Sequence, residues 1–125
     1  MADINEEKRS ELWREIVKIE DKEESLLAIK RQYEKQLTNF YSDIQVLNCR
    51  MTNLLELSPS SHKIVEQIEE NNWSIQRAIG WYVDEELDNL DKQTKKARRL
   101  LDDVREELIT ERNRLPWEWD TALKN

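Results

Sequence analysis

Apolar residues recur four and three positions apart through the first half of the chain: Leu12, Ile16, Ile19, Leu26, Tyr33, Leu37, Phe40, Ile44, Leu47, Met51 and Leu54. Only Glu23 and Lys30 interrupt the series. A 3.5-residue period held over roughly six heptads is the seam of a coiled coil, and it predicts one helix from about Ile4 to Glu56. At ~1.5 Å per residue that helix is roughly 80 Å long. The second half repeats the spacing at Val83, Leu87, Leu90, Thr94, Ala97, Leu101, Val104 and Leu108, and Pro116 forbids continuation beyond Leu115. Upstream, Ile64, Ile68, Ile75, Ile79 and Tyr82 form a stripe shifted by about a quarter turn, and the pair Asn71-Asn72 predicts a break or kink in the helix.

Between the two patterns lies "SPSSH", residues 58–62. Pro59 suits the first turn of a new helix and Ser58 is placed to cap it, so the chain is expected to reverse near residues 57–62. The predicted fold is all-α: a single, elongated antiparallel helical-hairpin domain over residues 1–125. Its first helix covers about 4–56, its second about 60–115, and a tail follows over 116–125. With the turn centred on residue 60, facing positions sum to about 120. Leu12 then meets Leu108, Ile16 meets Val104, Ile19 meets Leu101, Tyr33 meets Leu87 and Leu37 meets Val83. Phe40 meets Gly80, which gives the chain's only glycine a packing reason inside a helix. Charges agree with this register. Lys92, Lys95, Lys96, Arg98 and Arg99 lie across from Glu20, Asp21, Glu23 and Glu24, and Lys30, Arg31 and Lys35 lie across from Asp91, Asp88 and Glu85.

Composition supports long helices and excludes most alternatives. One Gly and two Pro in 125 residues are too few for a β or α/β fold, and 38% hydrophobic residues fill narrow seams rather than a thick core. A net charge of −7 argues against nucleic acid and anionic membranes as partners. The run "KQTKKARR" is flanked by acids and faces Glu20 to Glu24, so it reads as a hairpin surface rather than a DNA grip. No apolar run approaches the ~18 residues of a membrane span, and "MADINEEKRS" lacks an apolar signal core, so cytosolic synthesis without a cleavable signal is expected.

Candidate chemistry is sparse. Cys49 is the only cysteine and His62 the only histidine, which leaves no set of thiolate or imidazole ligands for a metal. The carboxylates at Asp84, Glu85, Glu86, Asp102 and Asp103 read as a solvated face, and no phosphate loop or nucleophile elbow occurs. No enzyme activity, metal or cofactor is expected.

The tryptophans carry the functional reading. At ~100° per residue Trp81 points nearly opposite the mean direction of Ile75, Ile79, Tyr82 and Val83, and Trp73 lies well to one side. Trp73 is expected either to fold over the hairpin end onto Leu47 and Met51 or to join Trp81 at a surface. Val17, Leu27, Ile29, Leu55, Leu100 and Ile109 also sit off the seam. Exposed apolar groups of this kind mark a partner surface, in which tryptophan is the commonest hot spot. The partner-binding residues expected from sequence are Trp73, Trp81, Leu100, Ile109 and, beyond Pro116, Trp117.

Length, two long helices and the run "DNLDKQTKKARRLLDDVREELITERNRL" make the chain resemble the small helical-hairpin accessory proteins encoded beside LXG-domain toxins of the Gram-positive type VII secretion system. It is similar, more distantly, to the WXG-family substrates of that system. The resemblance implies a chaperone or adaptor that binds the helical N-terminal domain of a toxin and helps present it for export, together with a second small helical accessory protein. It implies a cytoplasmic protein, with co-export alongside the cargo as an option. Two departures stand out. Trp73-Ser74-Ile75 occupies the place of Trp-x-Gly, and Tyr82 with Glu86 matches the form of the family's export signal but sits mid-helix. The competing readings are a self-associating coiled-coil scaffold, a homodimer in the simplest case, and a nucleic-acid-binding regulator.

Overall fold

The computed structural model describes residues 3–59 and 61–116. Two helices packed against each other make up the fold: α1, Glu6–Glu56, and α2, His62–Arg114. The hairpin expected from the heptads is therefore the observed architecture. Helix α2 runs without interruption through Asn71 and Asn72, so the expected break there is absent. Two asparagines cost a long helix only a few tenths of a kcal/mol each in propensity, about, and packing outweighs that. The cap also differs from expectation. Ser61 rather than Ser58 caps α2, its Oγ accepting from the Ile64 N–H at 3.4 Å, while Val65 N donates to the Ser61 carbonyl at 3.1 Å. Pro59 accordingly lies before the cap rather than in the first helical turn. His62 opens the helix, and its imidazole sits 3.0 Å from Glu66 on the exposed surface.

The chain divides into two compact units. The terminal unit joins Met1–Ile29 to Gln93–Asn125, and the turn unit is Lys30–Lys92. In the terminal unit the seam closes over Ile16, at 2% exposure, with Ile19 and Thr94 also buried. Glu23, one of the two interruptions in the heptad, reaches across to Arg98 at 3.2 Å and to Arg105 at 3.8 Å. A charged residue stands in the seam because the opposing helix supplies its partners.

The end of this unit is fastened by Arg9. Its guanidinium is buried, pairs with Asp3, and donates to the carbonyls of Leu115 and Pro116 at 2.8 Å each. Asn5 Nδ2 adds a bond to the Pro116 carbonyl at 2.7 Å. Both carbonyls lie just past the last residue of α2, where no further helical N–H follows to pair with them. Glu6 and Glu7 in the first turn of α1, and Arg112 and Arg114 in the last turn of α2, complement the helix dipoles.

In the turn unit Leu37 and Val83 form the buried core. Lys30, the second interruption, pairs with Asp91 at 3.0 Å and with Glu34 at 3.5 Å. The hydrogen bond to Asp91 raises the Lys30 pKa above its ordinary value. The ring over Gly80 belongs to Tyr41, not to Phe40 as the register predicted. A Cβ at Gly80 would lie 3.3 Å from Tyr41 Cε2, whereas Phe40 is 46% exposed. Facing positions thus sum to 121 at this contact and at Lys30–Asp91, and that one-residue offset exchanges the ring which meets the glycine.

Candidate functional site

Two surfaces of the turn unit present apolar groups to solvent, and they differ in chemistry. The first is a groove along one flank of the seam. At ~100° per residue Phe40, Leu47 and Leu54 project from the same flank of α1, with Met51 next to them. Ile64, Ile75 and Tyr82 project from α2 on the side that an antiparallel pairing turns the same way. These seven side chains are 44–70% exposed. Between the helices the groove encloses about 250 Å³, lined by Ile44, Leu47, Met51, Ile75 and Ile79 together with Asn48, Asn72 and Gln76.

The three amides explain why the groove stays open. Asn48 donates to Gln76 Oε1 at 2.5 Å and Asn72 donates to Met51 Sδ at 2.8 Å. Polar side chains thus occupy seam positions that leucine would fill, and the apolar residues beside them stay at the surface. Farther along the same flank Tyr33 donates to Glu86 at 3.4 Å. Desolvation, followed by the charge of Glu86, pushes the Tyr33 pKa above its ordinary value.

The second surface is a ridge on the other flank of α2. Arg77 lies between the rings of Trp73 and Trp81, with its guanidinium carbon 5.2 Å and 5.1 Å from their centroids. Spacing of four residues on each side stacks the three groups on one face. Both contacts fall within the ~6 Å range of cation–π attraction, worth roughly 0.5–1 kcal/mol each at an exposed site. Trp73 is 60% and Trp81 65% exposed. The expectation that Trp73 folds onto Leu47 and Met51 therefore fails: the ring stands on the opposite flank and rests on Arg77. An open depression beside it is lined by Asn48, Thr52, Glu66, Glu69, Glu70 and Ser74.

The other residues singled out from sequence do not join these surfaces. Leu100 and Ile109 belong to the terminal unit and are 60% and 40% exposed. Nine residues separate them, so they project from opposite sides of α2. Trp117 lies outside the described residues. Leu27 and Leu55 are half-buried, while Val17 and Ile29 are exposed. Sequence reasoning overlooked Trp13, which is 51% exposed and carries the Arg112 guanidinium 5.4 Å above its ring. It also counted Phe40, Leu47, Met51, Leu54, Ile64, Ile75 and Tyr82 as interior, because every one of them lies on or near the seam.

Among the described residues no helix is long and apolar enough to cross a membrane, and no three His, Cys, Asp or Glu residues gather into a metal site. No protein-family model, curated protein or solved structure matches the chain.

Proposed function

We propose that the chain is a non-catalytic binding module, a chaperone or adaptor that completes a helical bundle with the N-terminal domain of an LXG-type toxin and helps target it to type VII secretion. The observation that carries this reading is the open groove of the turn unit, with seven large apolar side chains 44–70% exposed in a chain where 38% of residues are charged. Large exposed apolar side chains gathered on one flank are the mark of a docking surface. Two parallel rims of helix with an apolar trough between them accept the apolar stripe of a further helix. Binding there shields the client's own apolar stripe and stabilises it by mass action. The Trp73–Arg77–Trp81 ridge offers a second hot-spot surface to a second small helical accessory protein. In this reading the chain acts in the cytoplasm, before or during export.

Co-expression of the tagged full chain with an LXG-type toxin N-terminal domain tests the proposal. A stable complex is expected, one that Leu47→Glu abolishes and Trp81→Ala weakens while far-UV circular dichroism stays unchanged. Retention of the complex by Leu47→Glu, or failure of any such domain to co-purify, sinks it.

A further inference from the structure

The rim of the groove carries few charges. Gln36, Asp43 and Arg50 border it on α1, and Asn71, Ala78 and Asn89 border it on α2. Glu86 on α2 accepts from Tyr33, and the two charges on α1 have opposite sign and stand seven residues apart, at the same heptad position. Both are exposed, and among the described residues neither forms an ion pair. They are about 10 Å apart along their own helix, too far to pair with each other.

We propose that in the absence of a client a second copy of the chain closes this groove, with α1 lying antiparallel on α1 about a two-fold axis near Leu47. About such an axis, residues of the two α1 helices whose numbers sum to about 94 lie at the same level. Asp43 of one copy then meets Arg50 of the other, and the symmetry makes the pair twice. Leu47 meets its own copy, Phe40 faces Leu54, Ile75 meets its own copy and Ile68 faces Tyr82. A parallel arrangement instead lays α1 on the second copy's α2 at the same level. That sets Asp43 against Ala78 and Arg50 against Asn71, so both charges lose water and gain no partner. The tryptophan ridge is no substitute as a self-docking face. A two-fold axis there sets Arg77 on Arg77 and Glu70 against Asp84, which is like charge on like charge.

The inference rests on the proposed function only in using the same face, since the client helix displaces the second copy. The test is the molar mass of the full chain by sedimentation equilibrium from about 1 to 100 μM at low salt. A dimer is expected. Asp43→Arg or Arg50→Asp alone turns two attractions into two repulsions and raises the dissociation constant roughly tenfold or more, whereas Asp43→Arg with Arg50→Asp restores it. Both positions are exposed, so circular dichroism should stay constant throughout the series. A monomer at the highest concentration, single swaps without effect, or a double swap that fails to restore the dimer overturns the proposal. A monomer leaves the client reading standing, and absence of a client leaves the charge-swap result standing, so the two fail separately.

Discussion

The terminal unit and the turn unit are built from the same two helices and the same four-three spacing, and each buries part of its seam, but the turn unit leaves far more of it open. Val104 is exposed in the first, and Phe40, Leu47, Met51 and Leu54 in the second. In the terminal unit Ile16 is 2% exposed, and cross-helix groups such as Glu23, Arg98 and Arg9 tie the flanks together. Ile19, at 9% exposure, shares its heptad position with Leu47 and Leu54 of the turn unit, which are 55% and 70% exposed. The difference lies in what shares the seam. Asn48 bonds to Gln76 and Asn72 to Met51 there, and the turn end lacks acids in the first turn of α2 and bases in the last turn of α1. Heptad spacing decides which side chains point toward a neighbouring helix. It does not decide whether one neighbour is enough to cover them.

The largest test of this contrast sets Ile16→Ala against Leu47→Ala. Emptying the closed seam is expected to cost about 3 kcal/mol, whereas Leu47→Ala in dilute protein costs under about 1 kcal/mol, because water already reaches that side chain. Urea denaturation of both variants measures it, and equal losses break the contrast. Next comes Arg9→Met, which removes the fastening at the chain ends, takes the guanidinium from Asp3 and leaves the Leu115 carbonyl without that donor. A loss of about 2 kcal/mol is expected, with hydrogen exchange accelerating in the terminal unit while the turn unit keeps its protection.

A smaller effect of opposite sign is expected from Asn48→Leu combined with Gln76→Leu. Replacing the amide pair by leucines should raise stability by about 1 kcal/mol and narrow the groove, and Asn48→Leu alone should gain less because it strands Gln76. Thermal melts of the single and double variants compare them.

The smallest effect is alkaline. Lys30, Lys92 and Tyr33 have pKa values raised in the folded chain, the lysines chiefly by hydrogen bonds to Asp91 and Asp88 and the tyrosine chiefly by desolvation. A raised folded pKa contributes stability that is fully present below the unfolded value and is lost as pH climbs through the folded one. Helicity should therefore hold to about pH 10 and decline above it, with the turn unit, which contains all three groups, opening first. Hydrogen exchange that rises uniformly in both units would contradict this.

Much of the fold was legible in the chain. The heptads placed both helices and the reversal, and the charge pattern gave a register that Glu23–Arg98 and Lys30–Asp91 match. Three details were not legible, each for a physical reason. Ser58 and Ser61 are both competent caps, and the choice between them depends on where the backbone finishes turning. A register good to one residue cannot tell Phe40 from Tyr41, although the two rings sit on different faces. The Arg9 clasp depends on carbonyls freed at the far end of the other helix, and no local pattern reports those. For the candidate surface, Trp81 was legible as off-seam, whereas Trp73 was left between core and surface and Arg77 between the two rings went unmarked. The groove was hidden, because its residues carry the signature of a core that a two-helix hairpin covers only in part.

The measurement that tests the account most directly is hydroxyl-radical labelling of the full chain, dilute and then in the assembly purified with its helical client. Phe40, Leu47, Met51 and Tyr82 are expected to be labelled readily in the dilute chain and to become protected in the assembly, while Ile16 stays unlabelled in both. If those four side chains label equally in the assembly, nothing docks in the groove and the central claim is wrong.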